Sequence, residues 1–429
     1  MKDNNLNICL MNDSFPPLID GVSNTVQNYA NILTNMGHDV TVAVPNFPNA
    51  FDSYNYNVLR YKSFPTTKLV GYRTGYPFSA SLLNELENKN LDILHSHCPF
   101  ASTILGRVAR ERIDIPLIMT YHTKFDIDIE RVLKNKLATD TVVKAVVENI
   151  SSCDEIWAVS NGAAENLREI GYNGDIYIMK NGVDFPKGES REKEIEQILL
   201  KYKINKTKPI YLFVGRLRWY KGVKIILEGL AKLKKIGRDF TMIFIGKGED
   251  QEEMENYAKE LGIYEKCLFV GAIYDRNELR RFYSLSDLFL FPSSYDTFGL
   301  VVVEAAACKT PSILIKNSAA AENVKDGING WTIDENAESM FNCLSQIGNK
   351  MDLLKNAGEK AYETLYFSWE DSLKEAYERY LIVIDKYKSG ETHRKFKTID
   401  EFYNAIGKIC EEITVSREIR NNIMEVLLK

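Results

Sequence analysis

The chain has 429 residues, of which 45% are hydrophobic and 26% are charged, and its formal net charge is −5. This length is too great for one ordinary hydrophobic core and predicts two or three domains, and the composition is that of a globular protein. Neither half carries an excess of lysine and arginine, which excludes a basic nucleic-acid platform. No run approaches the ~20 apolar residues of a membrane span.

The amino terminus and the cysteines indicate a cytoplasmic protein. A signal peptide has an apolar core, but the first residues include an acid and several asparagines, MKDNNLNICLMNDSF. The seven cysteines are scattered, and no C-x-x-C pair occurs. Since most of them lie in apolar runs, we expect buried, reduced thiols.

Strand-like and helix-like runs alternate through the first half of the chain. The expected strands are 6–11, 39–45, 57–63, 91–96, 116–122 and 155–160. The expected helices are 22–36, 101–112, 129–150 and 163–170. Short aliphatic strands separated by helices predict a parallel sheet that is covered on both faces.

A second series of the same kind follows a charged, helical connector that begins near Ser190. Its expected strands are 210–215, 240–246, 267–271, 287–291 and 312–315. Its expected helices are 223–235, 249–261, 276–284 and 299–307. Further helices are expected at 336–347, 351–365 and 369–386, and a tail at 399–429 has apolar residues at helical spacing, so we expect it to pack on the core of the chain itself.

The predicted fold class is α/β, with two doubly wound Rossmann-like domains facing each other across a cleft. The expected domains are a first Rossmann-like domain at 1–189, a second at 190–370, and C-terminal helices at 371–429 that pack back on the first domain.

Two carboxylates eight residues apart, Asp296 and Glu304, flank the start of a predicted helix. The first free N–H groups of that helix, on Phe298, Gly299 and Leu300, form an anion site. One interpretation is a pocket for a sugar joined to phosphate. The other, which is favoured for this pair alone, is a capping aspartate and a buried glutamate with its own partner.

A second phosphate signal lies at 215–222, between a predicted strand and a predicted helix. Arg216 offers forked donors and Lys221 a point charge, and both oppose the charge that grows on a departing diphosphate. The alternative is a solvated basic helix start. Because both signals fall at strand ends of the same predicted domain, together they favour a phosphate-sugar site.

Five ordered segments resemble the retaining nucleotide-sugar glycosyltransferases of family four, which have the GT-B fold. They are 16–33 (PPLIDGVSNTVQNYANIL), 120–125 (TYHTKF), 181–185 (NGVDF), 215–222 (GRLRWYKG) and 296–311 (DTFGLVVVEAAACKTP). The resemblance covers roughly residues 6–385. It implies transfer of a sugar from a nucleotide diphosphate to a hydroxyl acceptor, with retention at the anomeric carbon.

The resemblance implies a role for each matching residue. The residues expected to act at the reacting centre are His122, Asp296, Arg216 and Lys221. The residues expected to bind the donor are Gly21, Gly215, Arg216, Lys221, Gly246, Gly271, Ile273, Phe298, Gly299, Leu300 and Glu304. Among them Glu304 would bind the ribose and 270–273 would border the base, while Gly246 is read first as part of a tight turn.

The sequence departs from the family pattern at three places. Asp296 stands where glutamate is usual, which shortens the side chain by roughly 1.5 Å and bears on sugar preference. Lys309 stands where glycine is common, and 317–322 (NSAAAE) replaces a frequent Gly-Gly loop.

Two metal-like patterns have simpler explanations. Asp126 and Asp128 form a D-x-D, but they stand at a helix entrance, where acids serve as caps. His95 and His97 alternate in a strand end, but no further Cys, His or acid completes a site. We expect no metal and no cofactor to be required.

The acceptor is harder to predict. The acceptor-side residues we expect are Asp13, Lys68, Tyr72, Arg73 and Lys124. The segment 131–147 places cations beside aliphatic residues, and with the 68–78 loop it looks like the corresponding region of bacterial 1,2-diacylglycerol glucosyltransferases. Two interpretations are evenly balanced: an interfacial patch for a lipid acceptor, or a solvated helix and a capping loop.

The sequence thus favours a cytoplasmic hexosyltransferase that uses a UDP-sugar, with glucose first, and that makes peripheral contact with the inner membrane face if its acceptor is a lipid. The rivals are a UDP-sugar epimerase-type isomerase of the same fold and a non-catalytic sugar-nucleotide-binding subunit. A dinucleotide dehydrogenase is disfavoured because neither half has a full G-x-G-x-x-G after its first strand. The oligomeric state is left open.

Overall fold

The computed structural model describes residues 5–18, 20–66 and 73–391. These residues form two compact units. The first comprises the described residues up to Lys180 together with those from Trp369 onward, and the second is Asn181–Ser368.

The first unit is built from short strands alternating with helices. Its strands are β1 (Asn7–Met11), β2 (Asp39–Pro45), β3 (Asn57–Tyr61), β4 (Ser63–Phe64), β5 (Thr74–Gly75), β6 (Ile93–Ser96), β7 (Leu117–Tyr121), β8 (Glu155–Ala158) and β9 (Ile176–Ile178). Its helices are α1 (Gly21–Asn35), α2 (Ala80–Glu87), α3 (Ala101–Ile113), α4 (Phe125–Leu133), α5 (Lys136–Ile150) and α6 (Asn161–Glu169), with α14 (Trp369–Lys388) at the end of the described chain.

The main sheet of this unit is parallel and has the order β3-β2-β1-β6-β7-β8-β9. Strand β1 lies between β2 and β6, with Leu10 paired to Val42 on one side and to His95 on the other. The strand order therefore reverses beside β1. The loops after β1, β6 and β7 leave the same carboxyl edge, which is where such sheets bind ligands.

Helix α14 is part of the core of the first unit. Its Trp369 and Tyr380 are buried in one apolar cluster with Leu10, Val42 and Tyr29 of the sheet and α1. The phenol of Tyr380 also lies 2.6 Å from Nδ1 of His95 in β6. The end of the described chain thus covers one face of the first sheet.

The second unit repeats the same pattern. Its strands are β10 (Ile210–Val214), β11 (Thr241–Ile245), β12 (Cys267–Gly271), β13 (Leu288–Phe291), β14 (Ser312–Ile315) and β15 (Trp331–Ile333). Its helices are α7 (Glu192–Tyr202), α8 (Val223–Lys235), α9 (Gln251–Glu260), α10 (Arg276–Leu285), α11 (Leu300–Ala307), α12 (Ala337–Ile347) and α13 (Met351–Thr364), with 3₁₀ turns at Trp219–Lys221, Tyr264–Lys266 and Ala319–Ala321.

The second sheet is also parallel, in the order β12-β11-β10-β13-β14-β15. Its order reverses at β10, so the loops after β10 and β13 leave neighbouring positions of the carboxyl edge. Phenylalanines fill the interior along these strands: Phe213 stacks on Phe291 at 6.0 Å, and Phe244 stacks on Phe269 at 4.8 Å between ring centroids. Such stacked rings add to the stabilisation that their buried area provides.

The predicted fold class, two α/β domains with parallel sheets, is confirmed. The bounds of β2, α8, β12 and β14 are as predicted, and most others differ by one to three residues at an end. The single helix predicted over 129–150 is wrong. The chain breaks at Lys134, whose φ of 50° is left-handed, and Asn135 starts α5 by accepting from the amide of Ala138 at 3.1 Å.

The sequence reading also missed α2 and the short strands β4, β5, β9 and β15. Strands of two or three residues show too few alternations for a period to be recognised. In the described part of the chain no cysteine is disulfide-bonded, and no helix there combines the length and hydrophobicity of a transmembrane span.

Gly222 and Gly237 form a matched pair that tests how the loop after β10 is packed. Both have φ of 77°. A Cβ at Gly222 would lie 1.9 Å from the carbonyl oxygen of Pro292, whereas one at Gly237 would meet nothing within 4 Å. We expect Gly237→Ala to cost about 1 kcal/mol, the usual left-handed penalty, and Gly222→Ala about 1–3 kcal/mol more because the backbones must separate.

Thermal unfolding of the two variants beside the unsubstituted protein measures this difference. Equal loss of stability in both variants would show that the contact with Pro292 places no constraint on the loop.

Candidate functional site

The glycines of the second sheet's carboxyl edge let its loops pack backbone against backbone. A Cβ on Gly246, after β11, would lie 1.9 Å from the carbonyl oxygen of Gly215, and one on Gly248 would lie 2.0 Å from that of Leu217. The amide of Leu217 donates to the carbonyl of Lys247 at 3.2 Å. The 246–248 turn thus holds the 215–222 loop in place, as its interpretation as a tight turn predicts.

Lys221 and Asp296 meet at this edge although 75 residues separate them. The Nζ atom of Lys221 lies 2.7 Å from Oδ1 of Asp296, and the hydroxyl of Ser293 donates to Oδ2 at 2.5 Å. The side chain of Lys221 is 11% exposed and that of Asp296 is 24% exposed. The structure therefore joins the two sequence signals into one polar cluster that remains open to solvent.

Two tyrosines flank this ion pair. Nζ of Lys221 lies 5.3 Å from the ring centroid of Tyr295 and 5.6 Å from that of Tyr220, within cation–π range, and the two rings lie 4.9 Å apart. The aromatic faces fix the ammonium group laterally, so its position does not depend on Asp296 alone.

Helix α11 begins at Leu300, one residue later than predicted, with Gly299 as its N-cap. Gly299 has φ of 73°, and a Cβ there would lie 2.8 Å from Cβ of Ala320. Its carbonyl accepts from the amide of Val302 at 2.8 Å. The amides of Leu300 and Val301, at the start of α11, are therefore the free helical donors, and Phe298 lies in the loop before them.

Glu304 is buried one turn into α11, with only 7% of its surface exposed. Its Oε2 accepts from the phenol of Tyr283 at 2.8 Å, and its Oε1 accepts from Arg276 at 2.6 Å. Burial raises the pKa of Glu304, and Arg276 and Tyr283 oppose that rise. The interpretation of a buried glutamate with its own partner therefore describes part of this geometry correctly.

Arg276, the first residue of α10, is a site residue that the sequence reading did not identify. Besides Glu304 it binds Asp184, with Nε 3.0 Å from Oδ2, and its guanidinium lies 4.3 Å from the ring centroid of Phe185. Burial lowers the pKa of Arg276, but Glu304 and Asp184 raise it further, so the guanidinium is held charged. In the sequence Arg276 is a single arginine after β12 with no motif around it, which is why it was not predicted.

The remaining donor-side residues lie on the same edge without joining the polar cluster by hydrogen bonds. Arg216 is exposed after β10. Gly271 ends β12 with φ of 86° and lies close to the Lys247 side chain, and Ile273 packs half-buried against the core of the second unit.

Three histidines of the first unit come together at its carboxyl edge. Nδ1 of His97, after β6, lies 3.0 Å from Nε2 of His122, after β7, so one ring donates and the other accepts. His95 is placed by Tyr380 and by the hydroxyl of Thr120, 2.7 Å from its Nε2, and its ring lies 4.1 Å from that of His97. Nε2 of His97 is buried without a hydrogen-bond partner.

Burial keeps these histidines neutral. It lowers the pKa of His122 to about 3. It also lowers the pKa of His97 well below its usual range, helped by the neighbouring His95 and His122. The rings of His95 and His97 pack against each other at the strand end, and the ring of His122 stacks on that of His97.

Asp13 follows β1 and is fully buried at the start of α3. Its Oδ1 accepts from the amide of Ser102 at 2.9 Å, and its Oδ2 has no partner. Burial raises the pKa of Asp13 to about 6, against the lowering effect of hydrogen bonds from Cys98 and Ser102. Because β1 and β6 are adjacent strands, the loop that carries Asp13 leaves the sheet beside the loop that carries His97.

Other predicted acceptor-side residues are dispersed. Arg73 binds the carbonyl of Ser63 at 3.0 Å and that of Asn46 at 3.0 Å, which is a structural role beside β4 and β5. Lys124 is the N-cap residue of α4. Lys68 and Tyr72 lie outside the described residues.

The loop before α1 leaves open space around Gly21. Asp20 caps α1 by accepting from the amide of Ser23 at 2.7 Å, and a Cβ on Gly21 would meet no atom within 4 Å. Asp126 and Asp128 stand in the first turn of α4, where a carboxylate interacts favourably with the helix dipole, and the N-cap position is occupied by Lys124. Within residues 5–18, 20–66 and 73–391, no three His, Cys, Asp or Glu side chains are grouped to hold a metal ion.

Two family models match the chain in the order of its units. Residues 19–186 match Glycosyltransferase Family 4, and residues 194–364 match Glycosyl transferases group 1. The chain belongs to the GT-B glycosyltransferases.

Similar proteins include other members of this glycosyltransferase family. An alpha-monoglucosyldiacylglycerol synthase of Streptococcus pneumoniae is 22% identical over 76% of this chain and 74% of its own length. A GDP-mannose-dependent alpha-mannosyltransferase of Corynebacterium glutamicum is 26% identical over 77% of each chain. The structure of Anabaena HepE in complex with UDP and glucose matches this glycosyltransferase with a TM-score of 0.68 and 17% identity, over 87% of this chain and 99% of HepE.

The buried histidines predict an acid-sensitive fold. His122 titrates near pH 6.5 when unfolded but near pH 3 when folded, so its contribution to stability is complete above pH 6.5 and is lost as the pH falls from 6.5 toward 3. At pH 5.5 the loss is on the order of 1 kcal/mol. We expect His122→Gln to shrink the fall in unfolding free energy between pH 7.5 and 5.5 by about that amount.

Urea denaturation at the two pH values measures it. Asp13, whose raised pKa acts in the opposite direction, is present in both proteins and so leaves their difference unchanged. The same pH dependence with and without His122 would contradict the assignment of a neutral, buried imidazole.

Proposed function

We propose that this glycosyltransferase moves a hexose, glucose first, from a UDP-sugar to a hydroxyl acceptor with retention, and that the acceptor is a diacylglycerol-type lipid. The observation that carries the proposal is the meeting of Lys221, Asp296 and the start of α11 at the reversal point of the second sheet, with Glu304 one turn beyond. Cations, free amides and two carboxylates at one sheet edge suit a diphosphate joined to two polyhydroxy rings.

Each group has a proposed task. Lys221 and the exposed Arg216 bind the diphosphate. Glu304 binds the ribose. Asp296 and the amides at the start of α11 bind the transferred sugar. Lys221 has three donors and binds Asp296 through one of them, so it can serve a phosphate oxygen without releasing the carboxylate. As the bond to the sugar breaks, negative charge grows on the leaving diphosphate. The two cations stabilise this charge and so lower the activation barrier.

The proposed chemistry is a front-face substitution. The bond between the sugar C1 and the diphosphate oxygen breaks, and the acceptor oxygen bonds C1 on the same face. The acceptor proton passes to the leaving diphosphate, so no metal and no protein nucleophile are required. His122 of the first unit is assigned to a hydrogen bond with the transferred sugar.

The lipid acceptor is supported by an exposed surface on α4 and α5. Its apolar members are exposed by 37% to 78%: Val132, Leu133, Leu137 and Val142. Its cations Lys134, Lys136 and Lys144 are exposed too. Apolar side chains beside lysines suit an anionic bilayer surface, and the similarity to the streptococcal glycolipid synthase points the same way.

Lys221 and Lys224 allow a matched test of the donor site. Lys221 is nearly buried against Asp296, whereas Lys224, in the first turn of α8 just after it, is 62% exposed and faces Glu228. We expect Lys221→Ala to weaken UDP binding at least about 10-fold, since a charge-assisted phosphate contact is lost, and Lys224→Ala to change it less than about twofold. Calorimetric titration with UDP measures both; unchanged affinity in Lys221→Ala would refute the site.

Transfer itself is tested by a donor-by-acceptor screen read by mass spectrometry. We expect UDP-glucose to be consumed with diacylglycerol in phosphatidylglycerol vesicles, and neither UDP-galactose nor GDP-mannose to match it. Donor loss without any acceptor would favour the isomerase, and binding without turnover the non-catalytic subunit. Transfer to soluble sugars alone would end the lipid proposal.

The same screen includes a pair of leucine variants. Leu137 on α5 is 78% exposed and Leu200 on α7 is 79% exposed, so each can become glutamine with little effect on folding. We expect Leu137→Gln to lower transfer to vesicles at least about threefold with UDP affinity unchanged, and Leu200→Gln to leave both as they are. Equal effects of the two substitutions would remove α5 from the lipid surface.

A further inference from the structure

Glu304 already has a partner on each oxygen before any ligand is considered. Arg276 occupies one position on Oε1 and Tyr283 one position on Oε2. Each carboxylate oxygen offers two accepting positions, so one position remains on each. Two free acceptors on adjacent oxygens match the two adjacent hydroxyls of a ribose.

We propose that Arg276 and Tyr283 are positioning residues that hold Glu304 ionised and oriented to accept from the 2′- and 3′-hydroxyls together, so that the site selects ribonucleotides over 2′-deoxyribonucleotides. The inference rests on the proposed function, because it assumes that Glu304 binds the ribose.

Arg276 remains in place when a nucleotide binds. Its other contacts, with Asp184 at 3.0 Å and with the Phe185 ring at 4.3 Å, do not involve Glu304. Ribose hydroxyls are neutral and cannot replace a guanidinium beside a buried carboxylate, whose unpaired charge would be costly. The side chain of Arg276 is 43% exposed and that of Glu304 is 10% exposed, so solvent reaches the ion pair mainly at Arg276.

Four groups face Glu304 and set its protonation. They are Arg276 and Tyr283 of α10, Asp184 of the loop between β9 and α7, and Cys308 one turn further along the chain. Arg276 is the largest influence that lowers the Glu304 pKa against burial. Without Arg276 the pKa of Glu304 rises further, and in the fraction of molecules where Glu304 is protonated, one accepting position for the ribose turns into a donor.

Tyr283 contributes orientation rather than charge. It is fully buried, and burial together with Glu304 raises its pKa well above the usual range, so the phenol stays protonated and donates to Oε2. Removing the hydroxyl frees the carboxylate to rotate while Arg276 still holds its charge. The two residues therefore predict different phenotypes.

Calorimetry with UDP and 2′-deoxy-UDP between pH 6.5 and 9 separates them. We expect the unsubstituted protein to prefer UDP about 10-fold. Arg276→Gln should bind UDP about 30-fold more weakly at pH 6.5, and this loss should shrink as the pH rises toward 9 and Glu304 ionises. The titration of UDP itself cancels when the two proteins are compared at each pH.

Other variants keep the result decisive. Arg276→Lys retains the charge and should restore most of the affinity with a flat pH ratio, which a merely structural role would not produce. Tyr283→Phe should reduce the preference for UDP over 2′-deoxy-UDP without a new pH dependence. Arg280→Gln, on the same helix and bound to the carbonyl of Gly188 at 2.6 Å, should behave like the unsubstituted protein.

The outcomes distinguish the inference from the function beneath it. If UDP does not bind, or if Glu304→Gln leaves its affinity unchanged, both are overturned. If Glu304→Gln weakens UDP but Arg276→Gln shows no pH-dependent loss, or binds UDP more tightly, only the positioning role is overturned.

Discussion

The polar cluster of Lys221 and Asp296 depends on how closely two loops of the second sheet approach each other. Gly222 lets the loop after β10 lie against the carbonyl of Pro292, where even one carbon atom would be 1.9 Å away. Gly246 makes a similar contact with the carbonyl of Gly215 on the other side of the same loop. Because both neighbours are backbone, the loop has little freedom to move, and Lys221 reaches Asp296 without a long, flexible approach.

The two carboxylates at this edge differ in how deeply they are buried. In the proposed site Lys221 keeps two donors beyond the one that binds Asp296, whose side chain is 24% exposed, so a phosphate can engage Lys221 without breaking the ion pair. Glu304 is buried, and leaving it unpaired would cost several kcal/mol, so its contact with Arg276 must persist. In the proposed site, one sheet edge therefore holds a partly open ion pair for a charged group and a buried ion pair for a neutral one.

The sequence predicted features that depend on local residue patterns, and it missed contacts that depend on tertiary packing. Parallel strands buried on both faces appear as continuous aliphatic runs, so the sheets and most helices were predictable, and so were Lys221 and Glu304, which lie in contiguous motifs. The apolar pattern continues through Lys134, so it predicts one uninterrupted helix. The helix nevertheless ends there because Asn135 caps the next helix, and hydrophobic periodicity does not detect caps. Arg276 meets Glu304 from 28 residues away, through the packing of α10 on α11, which no local pattern contains.

The neutral histidines of the first unit limit what can move the proton. An imidazole whose pKa is about 3, as for His122, is too weak a base to accept a proton from an alcohol near neutral pH and carries no charge to stabilise a leaving group. Its bond to His97 holds the ring in place. In the proposed reaction the base is the substrate's own leaving phosphate, and the protein's part is to place that phosphate beside Lys221 and Arg216 as its charge grows.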